Sequence, residues 1–237
     1  MRGCLFVLIA AAAVLVTVIW FAAPVLASTV VGAMLQASGY SASRSSVEVE
    51  ASPPIATLFG HADVIRIEGD DVAWHTFHAA SLDLTLRDVD LFARRAATID
   101  GSIDGVQLGA GAATAPDAPT ADITFTGSTA DARATIEIPA AFVQRIVGDA
   151  FVGALGRQVG SVTLAAPDRV EVATALGTIE GRLSIDPNGA LILTTPVATT
   201  PILAFDPAFP LQLTTVTTTA AGIRLDGTLD VEGLLGG

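Results

Sequence analysis

The residues best suited to chemistry lie between Gly69 and Ala80, in the segment GDDVAWHTFHAA. His75 and His78 follow Asp70 and Asp71, and imidazoles beside carboxylates are a zinc donor set. The spacing argues against it. On a strand, residues three apart point to opposite faces, so the two rings diverge. Solvated or edge histidines are the better reading, and no metal or other cofactor is expected. The third histidine, His61, stands apart, no Gly-x-Ser-x-Gly or His-Glu-x-x-His pattern occurs, and the one cysteine is Cys4. The sequence therefore reads as a non-enzyme. A glycan-modifying activity would rest only on acidic residues, which the overall charge supplies anyway.

Two further groups invite a functional reading and have a plainer one. Trp74 and Phe77 flank the histidines, as a membrane-touching tip or, more simply, as two aromatics in the core. Arg94 and Arg95 have the geometry to fork a phosphate, but exposed arginines at a strand end are the rule.

Charge narrows the partners. The chain carries 24 acidic against 12 basic residues, a net of −12, which speaks against nucleic acid and against broad electrostatic docking to anionic lipid. Every basic residue is arginine, which we ascribe to coding bias.

Residues Cys4 to Leu26, CLFVLIAAAAVLVTVIWFAAPVL, are almost uninterruptedly apolar, with Arg2 ahead of them. At about 1.5 Å per residue a helix of this length crosses a hydrocarbon core of roughly 30 Å. Arg2 stays cytoplasmic by the positive-inside tendency, which places the rest of the chain across the membrane, in the cell envelope. Residues 1–27 are a signal peptide or an N-terminal transmembrane anchor. Val25-Leu26-Ala27 before Ser28 suits cleavage, whereas the length and the interfacial position of Trp20 and Phe21 suit retention. With Cys4 inside this segment, no disulfide can staple residues 28–237, and 51% hydrophobic content must supply an ordinary core.

The elements follow from periodicity. Ser28–Gln36 reads as a short helix capped by Ser28 or Thr29. Pro53-Pro54 then excludes central strand and leaves Ile55–Gly60 as an apolar turn. From residue 62 a two-residue period takes over: Ile65 and Ile67, then Leu82, Leu84 and Leu86. The apolar phase slips after Leu86 to Val89, predicting a bulge near Arg87-Asp88, and slips again between Ile103 and Val106. Residues 109–120, GAGAATAPDAPT, form a flexible loop. Pro139 opens the strongest helix, 140–155, with Phe142, Val143, Ile146, Val147 and Phe151 on one side. Strands fill the remainder, among them the turn Asp186-Pro-Asn-Gly189 and a Pro-rich crossing from Pro196 to Pro210. Two helices against about ten strands make an α+β fold: a single domain over 28–237 in which a long curved antiparallel sheet wraps one or two helices. The apolar strand faces exceed what those helices cover, which points to a lipid-sized groove.

The segment VEVEASPPIATLFGHADVIRIEG, Val47 to Gly69, resembles the LmeA-like phospholipid-binding proteins of actinobacterial envelopes. Pro54, Leu58, Gly60, Val64, Ile65 and Ile67 take the places of that pattern. IEIPAAFVQRIV, LSIDPNGALILT and LQLTTVTTTAAGIRLDGTLDV extend the likeness over most of residues 29–232. The resemblance implies a tubular lipid-binding-like fold and a phospholipid ligand, held outside the cytoplasmic membrane in support of envelope lipid or lipoglycan maintenance. It further implies an acyl chain between the helix residues Phe142, Ile146 and Phe151 and the strand residues Ile65, Ile67, Leu82 and Leu84. Leu58 and Phe59 would form the mouth. The competing expectation is a structural or adhesive envelope module with a packed sheet and no lipid cavity.

Overall fold

A computed structural model describes residues 25–33, 35–37, 39–74, 77–107, 120–155, 159–203, 211–219 and 221–230. The fold is α+β and dominated by antiparallel sheet, as the two-residue period requires. The first strands are β1 (Tyr40–Ser41) and β2 (Arg44–Glu50), followed by a 3₁₀ helix at Pro54–Phe59. Three long strands come next: β3 (His61–Trp74), β4 (Phe77–Asp90) and β5 (Arg95–Gln107). Then follow β6 (Thr120–Gly127) and β7 (Ala132–Pro139). Residues 25–33 and 35–37 are helical and are labelled α1; α2 is Ala140–Leu155. The later strands are β8 (Val159–Ala165), β9 (Arg169–Thr174), β10 (Gly177–Ile185), β11 (Leu191–Thr194), β12 (Thr199–Leu203), β13 (Leu211–Thr218) and β14 (Gly222–Leu229).

Among the described residues fourteen strands, against the ten expected, form two sheets. The large sheet has the order β1-β3-β4-β5-β6-β7-β14-β13, with β2 also on β3, and the small one β12-β11-β10-β9-β8. The expected loop at 109–120 lies outside the described residues apart from Thr120, which opens β6, and it does not divide the sheets. β6 and β7 extend the large sheet beyond it, and β13 and β14 return to the same sheet from the far end of the chain. The segment expected as a Pro-rich crossing contains β12, paired with β11.

The phase slip expected near Asp88 is present, but the β3–β4 and β4–β5 registers run through it without the shift of a one-strand bulge, and it belongs to a larger pattern. The inward positions of β3 are Ala62, then Ile65, Ile67 and Gly69, then Val72. Those of β4 are Val89, then Leu86, Leu84 and Leu82, then Ala79, and β5 has Ala96, then Ile99, Gly101 and Ile103, then Val106. At both junctions each strand steps by three residues instead of two. The steps align, because Ala62 pairs with Val89 and Val89 with Ala96, while Gly69 pairs with Leu82 and Leu82 with Ile103. Positive φ at Asp71 (49°), Asp88 (49°) and Gly105 (66°) provides the backbone turn at these lines. At the second line the β5–β6 register also shifts, between Ile103 and Val106, and a bulge of this kind bends a strand and raises its twist.

At the N-terminus, one local expectation fails. Ser28 and Thr29 do not cap α1. Their hydroxyls donate to the carbonyl of Val25 at 3.0 and 2.8 Å, bonds a Ser or Thr makes from inside a helix to the turn before it. The helix therefore already includes Val25. No helix among the described residues is long and apolar enough to cross a membrane, and residues 4–24 of the expected span lie outside them.

Two apolar clusters hold the fold together. The larger joins α2 (Phe142, Val143, Val147, Phe151) to the small sheet (Val162, Val170, Val172, Leu183, Leu191) and to the far half of the large one (Ile123, Ile136, Ile138, Ile223, Leu225). The smaller comprises Val49, Ala62, Ile65, Ile67, Leu86, Val89, Ala96, Ile99 and Ala132, with Ala27, Val31 and Leu35 of α1 packed against it. Each fully buried aliphatic side chain contributes about 1.5–3 kcal/mol by leaving water, so both helices are held by their apolar faces more than by their own propensity.

Candidate apolar ligand site

The structure divides the sequence-derived site residues among three places. Ile65 (1% exposed) and Ile67 (4%) are closed within the smaller cluster. Phe142 and Phe151 are buried in the larger cluster, and Ile146 packs half-buried against it. Leu58 and Phe59 are exposed on the 3₁₀ helix, off both sheets. The expected pairing of α2 with Ile65 and Ile67 is therefore not found. Those two residues belong instead to the cluster against which Ala27, Val31 and Leu35 of α1 pack. Only Leu82, among the expected strand partners, also reaches the cluster that α2 occupies.

The two clusters meet along a seam. Leu35 of α1, Leu82 of β4 and Leu229 of β14 each pack against both clusters, and all three are half-buried. Leu84 lies beside them on the same inward row and is also half-buried, although its neighbour Leu86 is closed. Inward residues of a central strand are ordinarily the most covered in a sheet, and Leu82 and Leu84 are less covered than Leu86 on the same row.

A polar group adjoins the seam. Tyr40 is only 6% exposed, and its hydroxyl has no hydrogen-bond partner among the described residues. It lies over Gly69: a Cβ built on that glycine would meet the hydroxyl oxygen. Glycine at 69 thus admits the phenol ring to the inner face, directly beside Leu82, with which Gly69 pairs. A buried hydroxyl without a partner is costly, of order 1–3 kcal/mol, and calls for a physical explanation. Sequence reasoning did not find Tyr40. It is the chain's one tyrosine, and its position just after the α1 turn was the only available signal.

Two carboxylates are shifted by their surroundings. Burial raises the Asp226 carboxyl, but hydrogen bonds from Thr135 and Arg224 outweigh it and hold the group below the usual carboxylate range. Asp90 is also held low, chiefly by the amide of Ala93. Both carboxylates brace strands and turns. No group of three or more potential metal ligands occurs among the described residues, and His75 lies outside them. His78 is half-buried on β4 opposite Ala73. Arg94 and Arg95 are both exposed, at the β4–β5 turn and the first residue of β5. The backbones of Trp74 and Phe77 pair at the far end of β3 and β4.

Comparison with protein-family models, curated proteins and solved structures finds no match to this chain. The likeness to LmeA-like proteins rests on the residue patterns alone.

Proposed function

We propose that this protein is a non-enzymatic phospholipid-binding or lipid-transfer domain, acting on the outer side of the cytoplasmic membrane in envelope lipid or lipoglycan maintenance. One observation carries the reading: the half-open seam of Leu35, Leu82, Leu84 and Leu229 lies beside the unpartnered, buried Tyr40 hydroxyl. An apolar trough with a single donor at its wall suits an acyl chain whose ester oxygen accepts one hydrogen bond. The site so drawn differs from the one the family resemblance implies. The chain lies along the seam between α1 and α2, and not under α2, whose inward residues Phe142, Val143, Val147 and Phe151 are already closed.

That closure of α2 is also what favours the competing reading, an envelope module with a packed sheet and no ligand. Vesicles containing a phospholipid with a photoactivatable acyl chain separate the two. With the full chain reconstituted in them, crosslinks are expected on peptides carrying Leu82, Leu84 and Leu229. Crosslinks confined to residues 4–26, with none on the seam, would leave the packed module standing.

A further inference from the structure

We infer that the end of the molecule formed by the 3₁₀ helix and the β4–β5 turn inserts into a lipid bilayer, the one entered by the apolar run before Val25. This inference is independent of whether the seam holds a lipid.

The end is unusually apolar for a protein surface. Phe92, at the turn, is 76% exposed; Phe59 is 66% exposed and Leu58 48%. They are neighbours. Leu91 donates its amide to the Gly60 carbonyl at 2.7 Å, and the Phe92 ring lies against Gly60, one residue from Phe59. Single exposed apolar residues such as Leu176 and Val197 elsewhere are ordinary, whereas several clustered at one end mark a contact surface.

The tip is also built to present these rings. Asp90 Oδ1 accepts the amides of Phe92 and Ala93 at 3.0 and 2.9 Å, which fixes the turn. Gly60, with φ of 82°, closes the 3₁₀ helix in the left-handed region and donates to the Thr57 carbonyl. Both aromatics thus project from braced backbone. Arg94 and Arg95 follow directly, so that cations lie beside the apolar tip, as in segments that lie in a bilayer interface.

The occupant follows from where the chain enters. Ala27 and Val31 pack against the smaller cluster and not the larger; that cluster runs from Ile67 and Ile99 to Ala62, Val89 and Ala96 at this end of β3, β4 and β5, where Leu91 of the turn also packs on it. Leu35, a few residues on, reaches both clusters, and Tyr40 pairs with Trp74 at the opposite end of β3. The start of α1 therefore lies toward the same end as Leu58, Phe59 and Phe92. There Val25 (64% exposed), Leu26 (58%) and Val30 (53%) add to its apolar surface. The sequence immediately before Val25 is the apolar run from Cys4 to Pro24. A bilayer that receives that run lies next to this tip and not at the Trp74 end.

Depth-dependent quenching tests this. The full chain carries Cys4→Ser and one new cysteine, Phe59→Cys, Phe92→Cys or Leu176→Cys, labelled with an environment-sensitive fluorophore. It is reconstituted in vesicles of phosphatidylcholine and phosphatidylglycerol containing brominated acyl chains. All three substituted positions are exposed, so folding is not at stake. Several-fold stronger quenching at 59 and 92 than at 176 is the expected result. Equal quenching at the three positions would place the tip in water and overturn the inference. Oxidative disulfide formation between two unlabelled Phe92→Cys chains, with no quenching of the labelled one, would assign the surface to a second copy of the chain and overturn it as well.

Discussion

Phe92 packs its ring onto Gly60 so closely that a Cβ on the glycine would collide with Phe92 Cδ2. Gly60 also has φ of 82°, so a side chain there meets both a strained backbone and an occupied space. Gly60→Ala is expected to destabilise the chain by about 1–3 kcal/mol. A double-mutant cycle with Phe92→Ala in urea unfolding apportions the cost. If the ring is the obstacle, the double variant loses less than the sum of the two singles. Additivity within about 0.5 kcal/mol would place the whole cost in the backbone.

Thr129 ties the β6–β7 turn to β5. Its Oγ1 accepts the Ala96 amide at 2.6 Å and donates to the Ala96 carbonyl at 3.0 Å, and the residue is 8% exposed. Thr129→Val keeps the shape and takes the Oγ1 acceptor from the buried Ala96 amide, while the Ala96 carbonyl keeps the Thr129 backbone amide at 3.2 Å. A loss of about 1–3 kcal/mol is expected, with Thr129→Ser recovering most of it. Equal stability of the valine and serine variants would show that water replaces the hydroxyl.

The strand faces were legible in the sequence and the partners were not. Apolar spacing alone exposed the phase slips at Asp88 and between Ile103 and Val106, because each inward side chain must reach the core. It could not say which helix covers Ile65 and Ile67, since alternation encodes a face and not the element packed on it. The start of α1 was misread because Ser28-Thr29 has the composition of an N-cap, yet both hydroxyls bond back to Val25. Phe92 went unnoticed because aromatics usually bury. The Asp90 two residues ahead, capping the turn, was the cue that it lies on one. Tyr40 shows the same limit, because its significance lies in a missing partner that only the fold reveals.

Acid should loosen the strands through Asp226. Its carboxylate accepts from Thr135 at 2.9 Å and from Arg224 at 3.1 Å, so its folded pKa lies below the ordinary 3.8. For a depressed carboxylate the stabilisation is fully present above the unfolded value and is lost as pH falls through the folded one. Stability should therefore hold down to about pH 4 and decline below it. In Asp226→Asn that part of the decline is absent. Identical acid-unfolding profiles for the two chains would show that the pair is too exposed to count.

Tyr40 separates the lipid-binding reading from a packed core most sharply. Its hydroxyl is buried without a partner beside half-open Leu82. In an empty chain that group only costs free energy, so Tyr40→Phe should leave the delipidated protein as stable as before or more so. If an ester oxygen of a bound phospholipid accepts from it, the same change removes about 1 kcal/mol from binding, roughly fivefold in affinity. Leu84→Trp complements it by filling the seam. An open trough accepts the added volume with little loss of stability and lower lipid crosslinking. A packed one is overfilled at a cost of about 1–3 kcal/mol. Unchanged crosslinking in Tyr40→Phe together with a destabilised Leu84→Trp would remove the seam as a ligand site. Weaker crosslinking in both, with stability preserved, is what a lipid lying along Leu35, Leu82, Leu84 and Leu229 requires.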